Sequence, residues 1–150
     1  MKSKLLTAAV ASILALPPSK LPAVDKKYRR RFDRPVSQSD KPGHLYALEG
    51  MLNGKPFIKI GRSVNPGRRF KEHKRSCKAV EWEEAGTYPA DRSHRAESLV
   101  HIDMKRTGFV KFKEPCSCKK DHLERFYYPG LDVRKALKRA KKIMRQHRKV

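Results

Sequence analysis

Tyr46, Arg69, His73, Glu97 and His101 are side-chain types that phosphodiester chemistry uses, and two of their spacings are informative. Arg69 and His73 stand four residues apart, as do Glu97 and His101, so each pair emerges on one face if its segment is helical. An Arg can hold a phosphate through two parallel hydrogen bonds, and a Glu can ligate magnesium. A Tyr or His can orient or deprotonate water. Each also has a plain structural explanation. Arg69 is one of 37 Lys and Arg residues, Glu97 could sit in a surface ion pair, and His101 could flank the core. A second group, Cys77, Cys116, Cys118 and His122, carries the donors of a closed Cys3His zinc site, because thiolates favour zinc over magnesium. Reduced, unlinked thiols and a disulfide are the alternatives, and an odd count of three cysteines fits a disulfide framework poorly.

The rest of the composition narrows the partners. At 150 residues the chain suits one domain with a core. Its 37 cations against 15 acids give a net charge of +22. Such an imbalance points to a polyanion, since neutralising phosphates releases counterions and drives binding without sequence preference. Charge alone does not choose between DNA, RNA and an anionic membrane surface. No stretch is long enough for an integral membrane span. The apolar run Leu5–Leu16 has the length of a signal-peptide core, but "LPPS" supplies no clear small-x-small cleavage site. The expected compartment is intracellular, and nuclear in a eukaryotic cell, with secretion as the alternative.

The elements that must position these side chains can be read in outline. Residues 1–42 form an apolar segment followed by a proline- and charge-rich stretch. Its "KKYRRR" fits a flexible basic arm, an import signal or a nucleic-acid clamp. The folded body should begin at Gly43. "HLYALEG" and "PFIKIG" read as strands, joined by Asn53-Gly54, a hairpin signal because both residues tolerate positive φ. Asn65 should cap a helix with Pro66 at its first position, running to about Cys77. "AVEWEEAGTYPA" predicts another strand, with Val80, Trp82 and Ala85 on one side. Asp91 or Ser93 should cap "HRAESLVHIDMKR", whose Ala96, Leu99, Val100 and Met104 form a core-facing stripe. "HLERFYY" predicts a last short strand. Asp132 should cap a basic helix within residues 131–150 whose apolar stripe is Val133, Leu137, Ala140 and Met144.

Taken in order, these residues resemble the GIY-YIG superfamily. His44-Leu45-Tyr46 falls at the first triplet, Lys59-Ile60-Gly61 at the second, and Arg69 eight residues after Gly61. The resemblance runs from about Gly43 to Tyr128 and implies an α/β domain, residues 43–130, with a small antiparallel sheet flanked by helices. Closer still is a phage-and-fungal branch described as DNA-binding, which includes the fungal meiotically up-regulated proteins. Its members are similar at "KIGRS", at a helix ending in Cys77, at "HRAESLVH", and at the Cys-x-Cys-x3-His of "CSCKKDHLERFYY". The resemblance implies DNA binding, duplex or branched, with RNA open. A magnesium-dependent endonuclease is the alternative, and a secreted cationic protein acting at anionic membranes is a third. The implied site is Tyr46, Lys59, Arg69, His73 and Glu97, with Glu97 as the magnesium ligand. Arg62, Arg68 and Lys71, with Lys138, Arg139 and Lys142 on the last helix, are the candidate nucleic-acid contacts. Lys59 replaces the motif's second Tyr. It adds positive charge but acts as a base only if its pKa is lowered, which favours binding over cleavage.

Overall fold

Asn53 and Gly54 both take positive φ, 51° and 74°, and turn β1 (Gly43–Leu52) into β2 (Lys55–Ser63) as an antiparallel hairpin. This computed structural model describes residues 22–116 and 124–150. Around the hairpin it places α1 (Ala23–Asp33), α2 (Pro66–Ser76), β3 (Glu81–Ala90) and α3 (Ser93–Arg106), then β4 (Val110–Lys111), β5 (Arg125–Tyr127) and α4 (Val133–His147). The strands form one antiparallel sheet in the order β3-β1-β2-β5-β4. The fold is α/β, as the resemblance implies.

Both faces of the hairpin are covered, so each face of the alternating strand finds a core. Leu45, Ala47, Ile58 and Ile60 pack with Val100 and Met104 of α3 and with Ala140 and Met144 of α4. On the second face Leu52, Phe57, Val80, Phe112, Cys77 and Cys116 cluster, with Trp82 against them. Burying each large apolar side chain contributes about 1.5–3 kcal/mol. Helix starts follow local chemistry in two cases. Asn65 Oδ1 accepts from the Arg68 amide at 3.1 Å, and Asp132 Oδ1 from the Lys135 amide at 3.0 Å.

Four expectations need correction. Residues 22–42 are not wholly a flexible arm, because α1 packs on α3 with Tyr28 buried against Leu99, Ile102 and Val150. Val24, Tyr28 and Phe32 recur every four residues, but the intervening cations mask that stripe in the sequence. Neither Asp91 nor Ser93 caps α3 through its side chain. Asp40 does so from the loop after α1, accepting from the amides of His94 at 3.0 Å and Arg95 at 2.9 Å. Ala85 packs with the α3–α4 core rather than beside Trp82, because residues three apart on a strand point to opposite faces. The two-residue β4 was not foreseen and pairs with β5. The early apolar run, Cys118 and His122 lie outside the described residues.

Candidate functional site

Among the described residues β2 runs on past its pairing with β5, and the site is built in the resulting notch. Pairing with β5 covers Ile58 and Lys59. Beyond it, the Ile60 amide donates to the Glu124 carbonyl at 3.1 Å, and the Ile60 carbonyl accepts from His101 Nε2 at 2.9 Å. Arg62, two residues further along that edge, lies close enough to Glu97 for its charge and backbone to favour the ionised carboxylate. Side chains four residues apart on α3, Glu97 and His101, thus both meet this edge of β2.

Tyr46 lies directly opposite Gly61 across the hairpin. Any Cβ at Gly61 would collide with the Tyr46 ring, which is the physical reason for a glycine there. The Tyr46 hydroxyl reaches His73 Nε2 of α2 at 2.9 Å and lies close enough to Arg69 for the guanidinium to act on it. Burial first, then the Glu124 charge, pushes the Tyr46 pKa up to about 12, so this phenol stays protonated at neutral pH. Arg69 is 45% exposed and holds Glu72 at 2.9 Å. Arg62, Arg68 and Lys71 are exposed around it.

Lys59 departs from the expected phosphate contact. It is 3% exposed, and its ammonium sits 3.5 Å from a Glu124 carboxylate oxygen. A phosphate cannot reach it without breaking that pair. Burial lowers its pKa, and Glu124 opposes the shift. Burial, reinforced by the negative charge of Glu124, pushes the Glu97 carboxyl up to about 7. Two carboxylates therefore share this notch with one lysine. Glu124 was missed as a site residue because it gains a role only where β5 begins, and no helical spacing links it to Glu97.

The structure thus gathers Tyr46, Lys59, Arg69, His73 and Glu97, and adds His101 and Glu124. It does not join the cations of α4 to this group. Lys138, Arg139 and Lys142 are exposed on α4, while Arg145 of that helix meets the Tyr88 hydroxyl of β3 and Arg148, just past its end, meets the Pro89 carbonyl. Arg139 lies over the Tyr128 ring, 4.8 Å from its centroid. Cys77 and Cys116 share the second-face core, and among the described residues no three His, Cys, Asp or Glu side chains form a metal cluster.

A sequence model of the T5orf172 domain matches residues 43–146, from the start of β1 into the last turn of α4. The chain belongs to the T5orf172 domain family. Membership indicates a nuclease-like or DNA-binding role and a nucleic-acid partner. No curated protein and no solved structure matches the chain. The T5orf172 range contains every residue of the notch and excludes α1 and the loop that caps α3. Among the described residues, no helix is long and apolar enough to cross a membrane.

Proposed function

We propose that this T5orf172 protein binds DNA, duplex or branched, through a GIY-YIG-like domain whose notch receives a backbone phosphate. The observation that carries this reading is Arg69, half exposed at the mouth of the notch beside Tyr46, with Arg62 and Arg68 exposed nearby. Arg is suited to phosphate because its planar fork donates two parallel hydrogen bonds. Lys59 stays below, where it balances Glu124 rather than touching the ligand.

A second reading, magnesium-dependent cleavage, is favoured by the Glu97–Glu124 pair. Neighbouring carboxylates offer hard oxygen donors, and a divalent cation would relieve the repulsion that raises the Glu97 pKa. Glu97 would hold such an ion, which would stabilise charge developing on the phosphate. Glu124 would join only by giving up Lys59. Tyr46, protonated and tied to His73, would orient water rather than deprotonate it. The internal ammonium already balances part of the carboxylate charge, so binding is the stronger reading. A structural zinc held by Cys77, Cys116, Cys118 and His122 is a separate proposal, tested by one zinc per chain and its loss in Cys118→Ser.

The deciding experiment measures binding and cleavage of duplex and branched DNA with magnesium or EDTA. If roughly six phosphates are neutralised, raising salt from about 50 to 200 mM should weaken binding about a thousandfold. Salt-insensitive affinity would remove the reading. Magnesium-dependent nicking that Glu97→Gln abolishes, with binding intact, would establish the nuclease instead.

A further inference from the structure

A cavity of about 450 Å³ opens between the end of α1, the loop that follows it and the start of α3. Arg31, Arg34, Lys41, Arg62 and His94 line it, and Asp40 is the one acid among the described lining residues. Asp40 is already engaged, since its two oxygens accept the His94 and Arg95 amides. Arg95 is engaged as well, donating to the carbonyls of Phe32, Arg34 and Val150. Arg31, Arg34, Lys41 and Arg62 take part in no ion pair among the described residues. Four cations therefore face one opening whose single described acid, Asp40, is already bound to two backbone amides.

We propose that this cavity is a second phosphate-binding cleft, which extends the nucleic-acid track from the notch onto the α1 segment. The inference rests on the DNA-binding reading above, and its occupant is the sugar-phosphate backbone of the same nucleic acid. Continuity supports it: Arg62 lines the cavity and is also close enough to Glu97 in the notch for its charge to favour the ionised carboxylate. A strand whose phosphate meets Arg69 passes Arg62 and then reaches Arg34 and Arg31. Mutual repulsion supports it too, since burial and then the charges of Arg34 and Arg95 lower the Arg31 pKa, a strain that an anion would relieve. The loop is rigidly placed, because Asp40 caps α3 and the Ser93 hydroxyl donates to the Lys41 carbonyl at 3.1 Å. The cleft thus exists before any ligand arrives. It also places a binding role on α1 and its loop, outside the range that the T5orf172 domain covers.

The test uses the full chain and a fluorescent duplex, with binding read by anisotropy across a salt series. Arg31→Ala with Arg34→Ala should lower the slope of log affinity against log salt by about two, since each phosphate contact contributes roughly 0.9. Affinity at about 100 mM salt should fall tenfold or more. Lys26→Ala with Lys27→Ala removes the same charge from the same helix without touching the cleft, and should change the slope by less than half as much. Arg34→Gln alone, at an exposed position whose contact to Arg95 is made by its carbonyl, keeps the fold and should lower the slope by about one. Equal losses from the two double variants would overturn the cleft and leave only general charge. So would an unchanged slope in the Arg31/Arg34 and Arg34 variants while the natural chain binds steeply. A natural chain that binds no DNA would overturn the proposed function and the cleft together.

Discussion

Two buried tyrosine–histidine hydrogen bonds, alike in chemistry, serve different ends in this molecule. Tyr46 meets His73 at 2.9 Å, and Tyr28 meets His147 at 2.8 Å. Around Tyr28 the buried hydroxyl, imidazole and carboxylate answer one another. The His147 ring is fully buried and donates from Nδ1 to the Ile143 carbonyl, so Nε2 accepts from the tyrosine. Asp103, 1% exposed, pairs with Arg106 at 2.8 Å and lies 3.8 Å from the same histidine. This closed network fastens α1 and α4 to α3. The Tyr46 region instead sets Glu97 against Glu124, covers them with one lysine, and leaves Arg69 and Arg62 facing outward. A Tyr–His pair therefore marks nothing by itself. Unbalanced charge at an opening distinguishes a site from a latch.

The largest expected effect falls on the latch. Asp103→Ala removes the buried partner of Arg106, leaves that largely enclosed guanidinium unpaired, and should cost about 3–5 kcal/mol in urea unfolding. A loss below about 1 kcal/mol would mean that the network does not hold the helices. Arg69→Ala should do the reverse, changing stability by within about 0.5 kcal/mol while weakening DNA binding by about 1.5–3 kcal/mol. Titration calorimetry checks the second figure, and unchanged affinity would deny the notch its phosphate.

Next comes the pH dependence of the site. An ordinary carboxyl titrates near 4.5, whereas Glu97 in the folded chain titrates at about 7. As pH rises between these values the unfolded chain ionises first, so this residue makes native stability fall across that window. Glu97→Gln should flatten that fall and add on the order of 1–2 kcal/mol near pH 8. Thermal melts from pH 4 to 8 measure it, and parallel curves for the two proteins would contradict the shared-charge arrangement. The smallest effect sharpens the contrast directly. Tyr28→Phe and Tyr46→Phe should each cost about 1 kcal/mol in stability, but only Tyr46→Phe should alter DNA affinity or cleavage. Equal functional effects would erase the distinction between latch and site.

Whatever depends on neighbours in the chain was legible from the residues. Asn53-Gly54 dictates the hairpin because both positions accept positive φ, and Asn65-Pro66 starts α2 because one supplies an acceptor and the other needs no donor partner. Gly61, Arg69 and His73 follow from that strand–turn–helix unit, so their joint placement beside Tyr46 could be anticipated. The α4 stripe was legible in part. Ala140 and Met144 are buried as expected, while Ala136 and Ile143 join them because the contact with α3 and the sheet is wider than one row.

Tertiary structure alone decided the rest, through contacts between residues far apart in sequence. Glu124 becomes a partner of Glu97 and Lys59 only because β5 pairs with β2 and carries it there from a distant part of the chain. Lys59 changes from a candidate phosphate contact to an internal counterion because the sheet buries it. Asp40 caps a helix more than 50 residues away, and Tyr28 meets His147 across 119 residues, pairings that no periodicity encodes. Local sequence fixes backbone geometry through sterics and short hydrogen bonds. The state of a buried charge is set instead by which distant groups share its low-dielectric surroundings, and only the folded chain specifies those.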